Sequence, residues 1–206
     1  MDHLTNQTCA GFAAALASKA PVPGGGGASA LVGALGASLA SMVANYTTGK
    51  KKYAAVEEDV KAILAEAEHL REELLALVEE DAAAFEPLSK AYAIPKDSPD
   101  RDAVMEDCLR RAAAPPMELL RLSCKVIDLH RELLGKGSVM VLSDVGTGVI
   151  FCWAALYGAA LNVKVNTKLM KDRACAEAMN AEADGLVNKY WKLAEEVYEA
   201  VIGRYS

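Results

Sequence analysis

The sequence predicts an all-α fold, in which residues 1 to 206 form a single-domain bundle of long helices around two buried, apolar central helices. Three observations predict it. The chain holds 38 alanines but only seven prolines and three phenylalanines, a composition that favours helices over sandwiches or barrels. Amphipathic stretches with a period of 3.6 residues flank two charge-free stretches, residues 20 to 49 and 145 to 163. No fixed-period repeat divides the chain.

The first half predicts three helices in order. A short helix over residues 5 to 18 ends before Pro21 and Pro23, because proline cannot continue a helix. After a glycine turn, small residues spaced for close helix packing predict a second helix over 26 to 46. A long amphipathic helix over 51 to 92, with a bend near Pro87, then leads into a loop.

The second half predicts three more helical segments. Residues 101 to 134 have an amphipathic pattern that Pro115 and Pro116 are expected to interrupt by a kink or a restart. Gly135 and Gly137 should end this segment in a left-handed conformation. A buried apolar segment over 138 to 161 and an amphipathic helix over 168 to 204 complete the bundle. The two apolar helices should be wrapped on all sides by amphipathic neighbours.

Charge and cysteine content exclude several functions. The formal net charge is −6, and the longest basic run is residues 50 to 52, which disfavours nucleic-acid binding. Five scattered cysteines indicate reduced thiols, and the start of the chain lacks the pattern of a secretory signal, so we expect a cytoplasmic protein. No cysteine or histidine spacing suggests a metal site, and His69 and His130 are expected to be solvated.

The two charge-free stretches are long enough to cross a membrane. The first, however, consists mainly of glycine, alanine and serine around a few large residues. The second contains Gly146, Thr147, Gly148 and Asn162 and follows directly on Asp144. Burial inside the bundle is therefore the favoured interpretation, and we expect no membrane partner.

A proline and glycine run is the first candidate site. Pro23, Gly24, Gly25 and Gly26 lie where a turn enters a helix, and backbone N–H groups there could face a phosphate or carboxylate. The spacing fits no nucleotide-binding motif. A tight turn with close helix packing is the simpler interpretation of the same residues.

Asp144 is the only charged residue between Lys136 and Lys164. A carboxylate in apolar surroundings either caps a helix, here one starting at Val145, or has a raised pKa suited to proton transfer. The nearby Gly146 leaves room for a ligand against the backbone.

Asp81 occupies an apolar position on the predicted buried face of the third helix. A lysine or arginine partner and a catalytic role are about equally consistent with it. Asn45, Thr47 and Lys52 form a polar helix end followed by cations, which could meet a carboxylated ligand.

Several blocks, taken together, resemble the cyclodeaminase/cyclohydrolase family, which includes the C-terminal domain of formiminotransferase-cyclodeaminase and methenyltetrahydrofolate cyclohydrolases. The resemblance rests on Pro21-Val22-Pro23-Gly24-Gly25-Gly26, Ala30 to Ala37, Met42-Val43-Ala44-Asn45, Lys51-Lys52-Tyr53, Asp81 with Phe85, Ser143-Asp144-Val145-Gly146, and Asn162 to Asn166. It covers nearly the whole chain. Gly27 departs from the serine that is common in the family, so this chain is not expected to make any ligand contact through that hydroxyl.

The resemblance implies a homodimer that binds a tetrahydrofolate derivative as substrate, without a metal. Asp144 is the expected proton-transfer group, and Asp81 would orient the pterin or share in proton transfer. Asn45 and Thr47 would hydrogen-bond the ligand, Lys52 would meet its glutamate carboxylate, and Pro23, Gly24, Gly25, Gly26, Ser143 and Gly146 would line the pocket.

The resemblance leaves the reaction open between formiminotetrahydrofolate cyclodeaminase, placed marginally first, and methenyltetrahydrofolate cyclohydrolase. A non-catalytic helical scaffold or a membrane-associated assembly protein is the alternative of a different class.

Overall fold

The computed structural model describes residues 3 to 205, and all regular elements in that range are helical. The prediction of an all-α chain is confirmed. Short 3-10 turns precede α1, α3 and α5, at Leu4–Asn6, Lys51–Val56 and Val139–Val141. The six α-helices are α1 (Cys9–Leu16), α2 (Gly25–Asn45), α3 (Glu57–Ala91), α4 (Arg101–Lys136), α5 (Leu142–Thr167) and α6 (Arg173–Ile202).

The helix α2 lies at the centre of the bundle and contacts α3, α4 and α5. It runs antiparallel to α5, because Gly25 lies near Asn162 while Gly36 lies near Cys152. The contact is close: a Cβ atom added to Gly36 would come within 2.4 Å of the Cys152 Sγ. The small residues of α2 thus allow the helix approach that their spacing predicts.

The helix α4 continues through Pro115 and Pro116, so the predicted restart is wrong, while the alternative of a kink stays a prediction. Pro87 likewise lies inside α3, and the bend expected there stays a prediction. Pro116 leaves the Ala112 carbonyl without its usual helical donor. The side chain of Asn166 supplies the replacement, since its Nδ2 donates to Ala112 O at 3.1 Å. A hydrogen bond from α5 therefore satisfies the carbonyl that the proline leaves open.

Gly137 follows the end of α4, but not in the expected left-handed conformation. Its φ is −74° and its ψ is 161°, which any residue can adopt. A Cβ atom here would lie 2.7 Å from Leu133 O and 2.8 Å from a Val43 methyl. Close packing therefore explains the glycine at position 137. Among the described residues, a left-handed backbone conformation occurs instead at Gly49, with φ of 74°.

The two apolar helices are central, but they are not wrapped on all sides. Within α5, Tyr157, Leu161 and Val165 remain exposed, and α2 exposes Leu35. Both segments are long and apolar enough to cross a membrane by composition, with 56% of the α2 window and 44% of the Val139–Thr167 window buried in the protein. Core helices of soluble proteins can have the same length and apolar composition. Each of these two helices has one face in the core and one uncovered apolar face.

His130 is fully buried, which contradicts the expectation that it is solvated, whereas His69 is exposed. The Nε2 atom of His130 lies 3.0 Å from Gly36 O, and the His130 ring fills the space beside the Cα of Gly148. Burial lowers the pKa of His130 to about 4, so the ring is neutral at pH 7 and donates from Nε2. This histidine connects α4 to both apolar helices.

Candidate functional site

The glycine turn forms the start of α2. Gly24 is the N-cap residue, and because glycine has no side chain it cannot cap the helix itself. The cap comes from α3, because Asp81 Oδ2 accepts a hydrogen bond from Gly27 N–H at 2.9 Å. A Cβ atom added to Gly26 would lie only 2.2 Å from Asp81 Oδ1. Glycine at this position thus lets a carboxylate from another helix reach the N-terminus of α2.

Asp81 is half-buried and has no lysine or arginine partner among the residues described. Burial raises the pKa of its carboxyl, and the Gly27 hydrogen bond opposes that rise only in part. The side chain borders a narrow gap between α2, α3 and the two prolines of α4. A carboxyl in these surroundings can exchange a proton closer to neutrality than an exposed aspartate can.

Two asparagines of α5 accompany this turn, and neither was predicted as a site residue. Asn162 donates from Nδ2 to Gly158 O at 2.8 Å and lies beside Gly25. Asn166, one helical turn further along, donates to α4 as described above. The sequence feature that could have identified them is a pair of amide side chains, four residues apart, on an otherwise apolar helix.

A second candidate region lies where α5 begins. A cavity of about 450 Å³ opens between this end of α5 and the end of α6, within the size range of ligand pockets. It contains two predicted substrate-binding residues, Ser143 and Gly146, and its walls are mainly apolar and aromatic. The other lining residues are Thr147, Ile150, Phe151, Tyr198, Val201, Ile202 and Tyr205.

Asp144 lies beside this cavity without lining it. The helix begins at Leu142, so Asp144 belongs to its first turn and is not the N-cap of a helix starting at Val145. Its side chain is partly exposed and makes no hydrogen bond or ion pair within residues 3 to 205. The apolar surroundings that the sequence predicts for Asp144 are therefore incomplete, and its side chain is half-buried.

The polar end of α2 separates into structural and exposed residues. Thr47 is fully buried; its hydroxyl donates to Val43 O at 2.7 Å and accepts from Ser138 N–H at 2.8 Å. These bonds leave no free surface on Thr47 for a ligand, which contradicts its predicted binding role. Asn45 and Lys52 are exposed, and Lys52 Nζ lies 5.4 Å from the Tyr53 ring centre.

The predicted site residues therefore form two groups rather than one. Gly24, Gly25, Gly26 and Asp81 lie at the start of α2, while Asn45, Lys52 and the beginning of α5 lie at its other end. A helix of 21 residues is about 30 Å long. One chain does not bring Asp81 and Asp144 together.

Among residues 3 to 205, no group of three histidine, cysteine or carboxylate side chains is placed to hold a metal ion. The chemistry that the two groups offer is that of carboxyl groups, amides and backbone N–H donors.

Comparison with known proteins identifies the family. The family model described as formiminotransferase-cyclodeaminase matches residues 8–185. The chain is 43% identical to methenyltetrahydrofolate cyclohydrolase of Methylorubrum extorquens over 200 residues, covering 95% of this chain and 96% of that one. It is 28% identical to formimidoyltransferase-cyclodeaminase of Mus musculus, covering 90% of this chain but 35% of the mouse protein.

A solved structure shows the same architecture. The formiminotetrahydrofolate cyclodeaminase of Thermotoga maritima superimposes with a TM-score of 0.91 at 27% identity, over 98% of this chain and all of that one. The chain belongs to the formiminotransferase-cyclodeaminase family. The resemblance read from the sequence blocks is confirmed, and the names of these relatives describe enzymes that act on folates.

Proposed function

We propose that this protein is a folate-dependent one-carbon enzyme that acts as a methenyltetrahydrofolate cyclohydrolase. The observation that carries the proposal is the 43% identity to a cyclohydrolase along nearly the full length of both chains. The bifunctional cyclodeaminases match at 26 to 30% identity. The order of the two reactions favoured by the sequence blocks alone is therefore reversed.

The proposed reaction adds water to the methenyl carbon of the 5,10-methenyltetrahydrofolate cation. A base removes one proton from the water as its oxygen bonds to that carbon, which becomes tetrahedral. The hydroxyl group of this adduct then loses its proton as the carbon–N5 bond breaks, and N5 takes up a proton. The product is 10-formyltetrahydrofolate, with a net release of one proton. Each step moves a proton beside a cationic carbon, which a carboxylate can assist by accepting the proton and stabilising the charge.

Two carboxylates can serve these steps. Asp81 has a raised pKa and one oxygen anchored by Gly27 N–H, which leaves the other oxygen to carry a proton. Asp144, free of partners inside the described chain, lies beside the aromatic cavity. The flat ring system of a folate suits walls formed by Phe151, Tyr198 and Tyr205.

Cyclodeaminase activity is the second candidate, and the Thermotoga maritima structure favours it. In that reaction N10 of 5-formiminotetrahydrofolate would attack the amidine carbon. The N10 proton and one further proton would pass to the amidine nitrogen, which would leave as ammonia. The product is the 5,10-methenyl cation that the hydrolase consumes. Both reactions need the same carbon, the same charge and the same proton transfers, so one pocket could serve either.

The test is to give the purified protein each substrate separately. We expect rapid loss of the methenyl absorbance with 5,10-methenyltetrahydrofolate, above the uncatalysed rate. Appearance of that absorbance with ammonia release from 5-formiminotetrahydrofolate would instead establish the deaminase. Activity with neither substrate, in protein shown to be folded by circular dichroism, would contradict both and support a helical scaffold.

The same proposal includes a cytoplasmic homodimer. The uncovered face of α5 supports a protein partner, and the free thiols of the five cysteines suit a reducing compartment. Analytical ultracentrifugation in detergent-free buffer tests the dimer, with a monomer at micromolar concentration as the contradicting result. Cell fractionation tests the location and separates it from a membrane-associated assembly protein.

A further inference from the structure

The start of α5 is held by residues outside the helix. Ser138 and Val141 are the N-cap residues of the 3-10 turn Val139–Val141 and of α5, and in the described part of the chain neither side chain caps its helix. A helix start without a capping side chain is less stable than a capped one. The first turn of α5 contains Ser143 and Asp144, so whatever fixes this entry also fixes two predicted site residues.

Two side chains from the region between α2 and α3 hold this entry. The Thr47 hydroxyl accepts a hydrogen bond from Ser138 N–H at 2.8 Å. The Tyr53 hydroxyl accepts one from the next residue, Val139, whose N–H lies 3.1 Å away. Because the two bonds engage consecutive backbone groups, together they fix the position and the direction of the chain as it enters α5.

The segment that carries Tyr53 is itself held by hydrogen bonds. Gly49, whose backbone is left-handed, donates its N–H to both carboxylate oxygens of Glu57, at 3.1 and 3.0 Å. The Tyr53 N–H donates to Lys50 O at 2.9 Å. The tyrosine is therefore presented by a fixed segment, as a residue must be if it is to place another group accurately.

Thr47 and Tyr53 differ in what their bonds stabilise. Thr47 is fully buried, and its hydroxyl also donates to Val43 O, so it belongs to the core. Tyr53 is half-buried, and it binds the amide of Val139, a residue that is 55% exposed. Water can replace the phenol at that amide. The Tyr53 bond therefore acts on local order at the entry to α5 more than on global stability.

Several groups converge on the Tyr53 oxygen. The Ser138 hydroxyl, the Val139 N–H and the Lys52 ammonium lower the pKa of Tyr53, in that order of effect. The Lys52 Nζ lies 5.4 Å from the centre of the Tyr53 ring. All three groups favour negative charge on the oxygen, and such a cluster holds its members more firmly than one isolated hydrogen bond does.

We infer that Tyr53 is a positioning residue, which holds the 3-10 turn before α5 and thereby places Asp144 beside the aromatic cavity. This inference rests on the proposed function and names a residue that serves the reaction without touching the substrate. Proton transfer depends steeply on placement, and an error of about 1 Å can cost about 100-fold in rate. Loosening this turn should therefore slow catalysis without unfolding the protein.

The experiment is a double-mutant cycle between Tyr53→Phe and Asp144→Asn. Tyr53→Phe deletes one oxygen and keeps the ring. We expect kcat for the methenyl substrate to fall about tenfold, with KM changed by less than about twofold and urea denaturation unaltered. In the Asp144→Asn background the same substitution should cost less than about twofold more, because the carboxylate that it positions is already gone.

Tyr46→Phe is the matched control. Tyr46 is the C-cap residue of α2, and Lys50 Nζ lies 5.6 Å from its ring centre. Within residues 3 to 205 the Tyr46 hydroxyl makes no hydrogen bond, so Tyr46→Phe should leave kcat and KM unchanged. Hydrogen exchange of the segment 138 to 144, followed by mass spectrometry, should be faster in Tyr53→Phe and unchanged in Tyr46→Phe.

Losses that multiply in the double variant would overturn the inference, because Tyr53 would then act independently of Asp144. A raised KM with unchanged kcat would also overturn it, since the phenol would then contact the ligand itself. Near-normal turnover of Asp144→Asn, or unchanged hydrogen exchange in Tyr53→Phe, would have the same consequence. If the wild-type protein turns over neither folate, the proposed function fails instead, and the exchange measurement alone decides whether Tyr53 holds the turn.

Discussion

The two candidate regions differ most in how their aspartates are held. Asp81 lies between packed helices, accepts the Gly27 N–H and has a raised carboxyl pKa. Asp144 lies in the first turn of α5, partly exposed and without a partner inside the described chain. The hydropathy of the neighbouring sequence indicates the opposite order, because Asp144 stands in the more apolar segment.

The difference shows that an apolar neighbourhood in sequence is not the same as burial in space. The residues around Asp144 are apolar, but one face of their helix remains open, so the carboxylate reaches solvent. Asp81 comes from a charged, amphipathic helix, yet its position on the inner face carries it against α2. Desolvation depends on which face packs, and that shifts the pKa.

Replacing Asp81 should have the largest effect. Asp81→Asn keeps the shape but removes the proton-transfer group, so we expect kcat/KM for the methenyl substrate to fall by about 1,000-fold. In the wild type, the acid limb of the pH-rate profile should lie above the ordinary aspartate pKa of 3.8, because burial raises the pKa of Asp81. Glu80→Gln, an exposed neighbour on α3, is the control, and a loss of less than threefold in Asp81→Asn would reverse the comparison.

The substitution Asp144→Asn should cause the second-largest loss of activity. We expect turnover to fall by about 100-fold while the helical circular dichroism spectrum stays unchanged. The smaller loss follows from the partial exposure of Asp144, because solvent weakens its electrostatic action. Steady-state kinetics on the two aspartate variants, purified separately by the same procedure, measure the ratio of their losses in turnover. Near-normal turnover would remove Asp144 from the mechanism.

Gly26→Ala tests the close approach of Asp81 to α2. The new Cβ atom would lie 2.2 Å from Asp81 Oδ1, so the carboxylate must move, and we expect a loss of about 2 kcal/mol in unfolding free energy. Gly24→Ala is the matched control, since nothing lies within 4 Å of its added Cβ atom. Urea denaturation compares the two, and equal stabilities would show that Asp81 is not held against the turn.

Asn166→Ala should have the smallest effect. It leaves the Ala112 carbonyl without its donor from α5, and we expect a loss of about 1 kcal/mol. Pro116→Ala restores a backbone N–H for the same carbonyl, so the double variant should lose less than the sum of the single variants. Additive losses in urea denaturation would show that the amide does not compensate for the proline.

Much of the fold was predictable from local patterns. The boundaries of α2 differ from the prediction by one residue, because a glycine run before a charge-free stretch marks a helix start clearly. The continuity of α4 was not predictable, because the donor for Ala112 comes from Asn166, 54 residues away. His130 was misassigned for a similar reason: its neighbours in sequence are charged, but its position faces Gly36 and Gly148.

By itself, the sequence determined the helices, the two apolar segments, the glycine turn and the family, since each depends on residues near one another along the chain. Only the tertiary structure decided which aspartate is desolvated, that Thr47 is occupied by backbone groups, and that the predicted site falls into two halves about 30 Å apart. The physical reason is that burial and hydrogen-bond partners depend on which helix faces meet. Periodicity identifies an apolar face, but it does not tell which element, or which subunit, covers it.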